Sequence, residues 1–137
     1  MAVAFAVVVL LASHAASAAD TRVSLTLDGR PISTRPAVAL VRNGVLFVDA
    51  VDVTRVFDGL LVFERHGVRL GVRGHNLSFT IGKRIAQVDK SGVRLKGAPF
   101  EFDGDIFVPV EPIVNADPAL HLTWVNRRHA DLHVNAF

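Results

Sequence analysis

Histidine, serine and acidic side chains are the residues of this chain that could do chemistry, because it contains no cysteine. Two of the histidines, His129 and His133, have the i, i+4 spacing of a metal-binding pair, which brings side chains together only on a helix. The local pattern predicts a strand, on which these two lie about 13 Å apart at about 3.3 Å per residue. We therefore expect no intrinsic metal site and solvated strand positions for the histidines after the N-terminal segment, which are His66, His75, His121, His129 and His133.

The sequence gives little indication of nucleophilic or acid–base catalysis. The serines considered fall in predicted strands or turns, and no Gly-x-Ser-x-Gly elbow is present. Glu101 and Asp103 stand two apart on one predicted strand face, a spacing that suits general acid–base work. They adjoin a predicted turn, where solvated carboxylates are common, so no catalytic residue is expected. The serines are Ser24, Ser33, Ser78 and Ser91.

Aromatic residues could instead line a face that binds a sugar or a peptide. Phe63 and Trp124 fall at core-pattern positions, as does Phe107, and we expect all three in the core. An exposed Trp124 that acts as a stacking platform is the alternative. Phe100 and Phe102 alternate with a glutamate and are predicted to point inward together.

Four arginines at predicted outward positions are the candidate partner-contact residues. The chain has 15 Lys and Arg against 13 Asp and Glu, a net charge of +2, which is too mild and too evenly interleaved to indicate nucleic-acid binding. An acidic wall polymer or an envelope protein is the expected partner, and no cofactor is expected. The four residues are Arg69, Arg73, Arg127 and Arg128.

The first residues predict export. An apolar run from Ala2 to Ala12 is followed by Ala16-Ser17-Ala18, the small-x-small pattern of a signal peptidase site. The run is shorter than the roughly 20 residues that a membrane span needs. We predict a signal peptide over 1–18, cleavage after Ala18 or Ala19, and one secreted or periplasmic domain over 19–137 without a transmembrane segment. Because no Lys or Arg precedes the run, an uncleaved anchor is the alternative.

Alternating apolar residues predict strands along nearly all of this domain. One helix is predicted after the strand that ends at Val48: Asp49 can cap it, and Gly59 stands where a left-handed terminal residue is wanted. The corresponding stretch of the second half is rich in proline, so at most two helical turns are expected there. These elements predict an α+β fold, a mostly antiparallel β-sheet wrapped on one or two short helices.

The two halves read alike at a spacing of about 60 residues. Asn43-Gly44 matches Asp103-Gly104, Phe47-Val48 matches Phe107-Val108, and Phe63 matches Trp124. We therefore predict two pseudo-repeats of about 60 residues that close on each other around one core. Exposed sheet edges would also allow a homo-oligomer.

Three segments carry a family resemblance: "LSFTIGKRIAQVD", "APFEFDGDIFVPVEPI" and "LTWVNRRHADLHV". With them, residues 23–135 resemble the copper amine oxidase-like N-terminal domain, or stalk domain, of exported bacterial proteins. The resemblance implies a small sheet wrapped on a helix, an accessory role and no catalytic residues to carry over. Amine oxidase activity itself is excluded, because the quinone cofactor is made from a tyrosine and the chain contains none.

The sequence thus predicts an exported, non-catalytic accessory, spacer or binding module of the cell envelope. Two alternatives stay open. One is a small secreted hydrolase that uses acidic residues or a histidine, which needs a pocket with convergent acids. The other is a periplasmic metal-handling protein, which needs histidines in close contact.

Overall fold

The structure is a computed structural model that describes residues 20–32 and 39–135. The predicted signal peptide over 1–18 and its cleavage site lie outside the described residues, as does Ser33. Within the two described ranges, no helix is both long enough and apolar enough to span a bilayer.

Strands account for most of the described residues. The first half contains β1 (Thr21–Leu27), β2 (Arg30–Pro31), β3 (Ala39–Arg42), β4 (Val45–Asp49), helix α1 (Ala50–Val56), β5 (Leu60–Glu64) and β6 (Gly67–Val72). Next come β7 (His75–Thr80), β8 (Ile85–Val88), β9 (Ser91–Arg94), β10 (Phe100–Phe102), β11 (Asp105–Pro109), helix α2 (Glu111–Ala116), β12 (Leu120–Asn126) and β13 (His129–Val134).

Two sheets divide these strands. The larger sheet has the order β10-β11-β4-β3-β1-β13-β12, with β2 paired to β1. Its pairs are antiparallel except β1 with β13, which run parallel in the register Ser24↔His129 to Leu27↔Leu132. The smaller sheet is an antiparallel meander of β5 to β9. The predicted α+β class with short helices and mostly antiparallel pairing is confirmed.

One apolar cluster joins both sheets and both helices. It includes Val48 of the larger sheet, Val68 of the smaller sheet, Val53 of α1 and Ile113 of α2, each at most 2 % exposed. The predicted alternation in β6 is confirmed, because Val68 and the next two residues of the same parity are buried while Arg69 faces solvent. Burial on this scale is the main force that holds the fold together.

Helix α1 begins as its sequence predicts and ends differently. The Asp49 carboxylate accepts a hydrogen bond from the Val51 N–H at 2.8 Å, so the predicted N-cap is confirmed. The left-handed residue that follows the helix is Asp58, with φ 50°, and not the predicted Gly59. Gly59 is needed for space instead, since a Cβ there would lie 2.0 Å from the carbonyl oxygen of Gly71.

Helix α2 is six residues long, in agreement with the two turns at most that its prolines allow. Its N-cap residue, Val110, makes no side-chain capping bond. Pro112 and Ile113 are buried against the core, so packing rather than capping holds this helix in place.

Candidate binding groove

A groove lies beside the turn that joins β3 to β4, bordered by α2, β12 and the loop that connects β9 to β10. Three adjoining hollows of about 70, 230 and 350 Å³ form it, and Val45 and Lys96 line all three. Gly97 allows the connecting loop to lie on the sheet, because a Cβ there would come within 2.7 Å of the Phe47 ring. The three hollows share Val45 and Lys96 in their linings, and we call them together the groove.

Trp124 forms one end of the groove, beside Leu122 of β12 and Val114 of α2. Its side chain is 45 % exposed, so the prediction that it belongs to the core is wrong. Leu120, Leu122 and Trp124 share one face of β12, and they are buried, half-buried and exposed in that order. The strand thus extends beyond the end of the core, and the tryptophan lies past it.

The same prediction is wrong for Phe63, which is 62 % exposed. It shares a face of β5 with Leu61, which is half-buried against the core. Phe107 is in the core as predicted, with no exposed surface. Of the three aromatic residues assigned to the core from the pattern, one is buried.

The other end of the groove rests on a small aromatic cluster. Phe47 and Phe107 are buried there, and the half-buried Phe100 stacks on Phe107 with ring centroids 5.6 Å apart. Phe102 meets Phe107 edge-on at 6.0 Å, so Phe100 and Phe102 do pack on the same face as predicted. The Arg42 guanidinium lies 3.5 Å from the Phe100 ring centroid, a cation–π contact.

Arg42 is fixed in place by a carboxylate. Its Nε and Nη2 donate to the two carboxylate oxygens of Asp20, each at 2.7 Å. The hydrogen bond from Arg42 holds the pKa of Asp20 below its usual value and raises the pKa of Arg42. This cation is a rigid, permanently charged part of the groove wall.

Positive side chains outnumber negative ones along the groove. Arg94 ends β9, and Arg84 immediately precedes β8, the strand that pairs with β9; the Arg84 carbonyl accepts from the Leu95 N–H at 2.8 Å. The Lys96 ammonium lies 3.5 Å from the Glu111 carboxylate, in an exposed ion pair that is weak. The lining residues contribute four cations, Arg42, Arg84, Arg94 and Lys96, and two acids, Glu101 and Glu111.

The four arginines predicted to contact a partner are all exposed, but the structure does not bring them together. Arg127 and Arg128 form the turn after β12, only a few residues beyond Trp124. Arg73 lies near the opposite end of β12, where its Nε donates to Asp117 at 2.5 Å and keeps the pKa of that carboxyl low. Arg69 belongs to the smaller sheet, 4.0 Å from Glu64.

Histidines on the described strands have polar partners. His75 Nδ1 lies 2.6 Å from Asp89, and His133 is hydrogen-bonded to Asp28. His129 and His133 share β13, as predicted, and the register places His121 directly opposite His133. That cross-strand pair was missed, because it depends on where the hairpin turns. The remaining partners are Thr26 for His129 and Asn135 for His121.

A partly buried polar network was also missed. The Thr26 hydroxyl donates to an Asp131 carboxylate oxygen at 2.5 Å, and the Gly29 N–H donates to the same oxygen at 2.9 Å. These bonds keep the pKa of Asp131 below its usual value, although burial opposes them. The network joins β1 to β13, whose pairing no local pattern indicates.

The acids considered for catalysis lie at an exposed hairpin. Glu101 is in β10 and Asp103 is in the turn that follows, with φ 51°. Glu101 lines the groove at the Phe100 end, where the other charged lining residues are cations. Across residues 20–32 and 39–135, no three histidine or carboxylate side chains converge as a metal ion requires.

Comparison with known proteins found no matching family model, no matching curated protein and no matching solved structure. The resemblance to the copper amine oxidase-like N-terminal domain therefore stays a prediction from the sequence.

Proposed function

We propose that this protein is an exported, non-catalytic binding module whose groove holds an acidic polysaccharide of the cell envelope. The observation that carries the proposal is Trp124, a half-exposed indole at the end of a groove whose charged lining residues are mostly cations. An acidic sugar chain presents flat ring faces and carboxylates, and the groove offers a partner for each.

Trp124 supplies the stacking surface. A tryptophan has a large apolar face, and leaving nearly half of it in water is costly unless a ligand covers it in the functional state. Leu122, Val45 and Val114 line the same hollow, which has a volume of about 230 Å³. This hollow suits the apolar face of one sugar ring, with the rest of the chain extending along the groove.

The cations supply the attraction for carboxylates. Within the described residues, no carboxylate is paired with Arg84 or Arg94, which leaves both guanidinium groups able to bind a ligand. Arginine matches a carboxylate with two parallel hydrogen bonds, which gives orientation as well as affinity. Arg127 and Arg128 continue the positive surface beyond Trp124, so these two of the four predicted partner-contact residues belong to the proposed site.

We also propose that the chain consists of two pseudo-repeats. The order strand, strand, helix, strand, strand recurs over 39–72 and over 100–134. The turns Asn43-Gly44 and Asp103-Gly104 have the same left-handed pair of φ values, 51° and 77° against 51° and 80°. Such turns are the tight two-residue kind that joins antiparallel strands.

The pairing of β4 with β11 supports the repeat further. Val48 lies directly opposite Val108, with Phe47 opposite Pro109 and Asp49 opposite Phe107. Residues matched by the sequence repeat thus meet at the centre of an antiparallel pair. This is the arrangement that a twofold axis between two equivalent units would produce.

Family and location complete the proposal. The stalk-domain resemblance and the predicted signal peptide both favour a protein that works outside the cytoplasm, where wall polymers are found. The absence of cysteine means that such an exported domain depends on its core rather than on disulfides. We favour binding over catalysis because the two groove acids, Glu101 and Glu111, line different hollows.

Calorimetric titration with polygalacturonate, a polymer of uronic acid, tests the binding proposal. Trp124→Ala removes the stacking face and Arg84→Ala removes one cation, so each should weaken affinity about tenfold, or about 1.4 kcal/mol. Raising the salt concentration should weaken binding by the wild type, since charge pairing is screened.

Arg69→Ala is the matched control, because Arg69 is an exposed arginine of β6 that does not line the groove. It should bind like the wild type. An equal loss of affinity in Arg69→Ala and Arg84→Ala would mean non-specific attraction by total charge. Unchanged affinity in Trp124→Ala would show that the groove is not the binding site. Preference for polyglutamate over polygalacturonate would assign the groove to an acidic peptide instead.

A further inference from the structure

Strand β5 is an edge strand that leaves its apolar side chains in solvent. Leu60 is 76 % exposed, Val62 46 % and Phe63 62 %. Within the described part of the chain, β6 is the one strand that pairs with β5, so the outer edge of β5 is open. A long apolar edge with unpaired backbone groups is a template for a further strand.

The backbone groups that face this open edge can be identified. The His66 carbonyl accepts from the Ile81 N–H at 2.8 Å, so His66 directs its backbone groups towards the extension of β7. Successive residues of a strand direct their backbone groups to opposite sides, so Gly67 and Arg69 direct theirs to β5. Their partners Glu64 and Val62 bond to β6, which leaves the N–H and C=O groups of the alternate residues, Leu61 and Phe63, on the open edge.

We propose that two copies of this chain pair through β5 in an antiparallel arrangement, with a twofold axis at Val62. This register places Leu61 of each copy opposite Phe63 of the other, so all the outward backbone groups of these residues form hydrogen bonds. The two five-stranded sheets then become one continuous sheet. Each Phe63 ring covers a Leu61 side chain and loses much of its exposed surface.

The side chains of β5 favour this occupant and this direction. In the antiparallel register, each cross-strand pair between Leu61 and Phe63 matches apolar with apolar, as does Val62 with its own copy. Glu64 is the charged residue of β5, and it lies opposite Leu60 of the other copy, so the two carboxylates are at opposite ends of the strand pair. A parallel pairing in register would set the two Glu64 carboxylates side by side, which is unfavourable.

A cysteine at the axis tests the proposal, and the natural chain has no cysteine to interfere. Val62 faces its own copy in a non-hydrogen-bonded pair, where Cα atoms are about 4.5 Å apart, within the range that a disulfide spans. Mild oxidation of the Val62→Cys protein at micromolar concentration should therefore convert most of it to a covalent dimer. The wild-type protein should sediment with twice the mass of one chain.

Ile85→Cys is the matched control, since Ile85 is an apolar residue of the same sheet and is 60 % exposed, but lies on the inner strand β8. It should stay largely monomeric after oxidation. The proposal is overturned if Val62→Cys forms no more dimer than Ile85→Cys, or if the wild type sediments as a single chain. Dimer formation through Val125→Cys and not Val62→Cys would assign the contact to edge strand β12 and would equally overturn it.

Discussion

Phe107 and Trp124 are both aromatic residues on strands of the larger sheet, and their surroundings are opposite. Phe107 has no exposed surface and packs on two other phenylalanine rings, whereas Trp124 has nearly half its side chain in solvent. The energetic role of each should follow its burial. Phe107 contributes to folding, and Trp124 is available for a ligand.

Truncation of each residue to alanine measures this difference. Phe107→Ala leaves a buried cavity and should cost about 3–5 kcal/mol of the free energy of unfolding, a large part of the roughly 5–15 kcal/mol that such a domain has. Trp124→Ala should cost about 1 kcal/mol or less, because most of what it removes lies at the surface. Urea unfolding of the two variants gives both values. A Trp124→Ala protein that is as unstable as Phe107→Ala would place Trp124 in the core after all.

The sequence predicts which face of a strand a residue lies on, but not whether anything covers that face. Leu120, Leu122 and Trp124 have the same parity and lie on one face of β12. Only the first is fully buried, because the core ends before the strand does. On β5, Leu61 and Phe63 show the same change along one face, from half-buried to exposed. How far the core covers a strand depends on elements that are distant in the sequence, so the alternation of apolar and polar residues along the strand cannot show it.

At the scale of elements, the parallel pair of β1 and β13 closes the larger sheet. These strands are separated by almost the whole described chain, and the Thr26–Asp131 hydrogen bond lies in their register. The pKa of Asp131 is lower in the folded protein than in the unfolded chain. Its ionised form therefore stabilises the fold above the unfolded pKa of about 3.9, and this contribution is lost as the pH falls through the folded pKa.

The pH dependence of stability tests the role of this hydrogen bond between β1 and β13. Between about pH 5 and pH 2, the free energy of unfolding should fall less steeply for Asp131→Asn than for the wild type, because one depressed carboxyl no longer takes up a proton. Thr26→Val removes the hydroxyl that donates to Asp131 and should flatten the slope in the same way. Urea titrations at several pH values give the slopes. Wild-type slopes in both variants would show that the hydrogen bond does not couple to folding.

Hairpins and helices could be read from the sequence, and the assembly of the sheets could not. The turns at Asn43-Gly44 and Asp103-Gly104 and the cap at Asp49 are local signals, and each lies where the sequence places it. The pairs β1–β13 and β4–β11 join segments that are far apart, and nothing local specifies them. Because the groove is lined by residues of both sheets, of α2 and of the loop after β9, its lining could not be predicted.

At the scale of the whole molecule, the two sheets share one core, and the strand that the smaller sheet contributes to the groove is β9, at the opposite edge of that sheet from β5. The proposed sugar site and the proposed dimer contact therefore use separate surfaces. A dimer would carry two grooves, and two linked sites bind a polymer more tightly than one does. Occupation of the groove is the claim on which the functional account depends.

The most direct test uses the fluorescence of Trp124, which is the single tryptophan in a chain without tyrosine. In the free protein its emission should be readily quenched by acrylamide, because the indole is 45 % exposed. Saturating polygalacturonate should shield it and reduce the quenching, and Arg84→Ala should need more polymer for the same effect. Quenching that stays unchanged at every polymer concentration would contradict the account, because the indole would then be exposed whether or not the polymer is present.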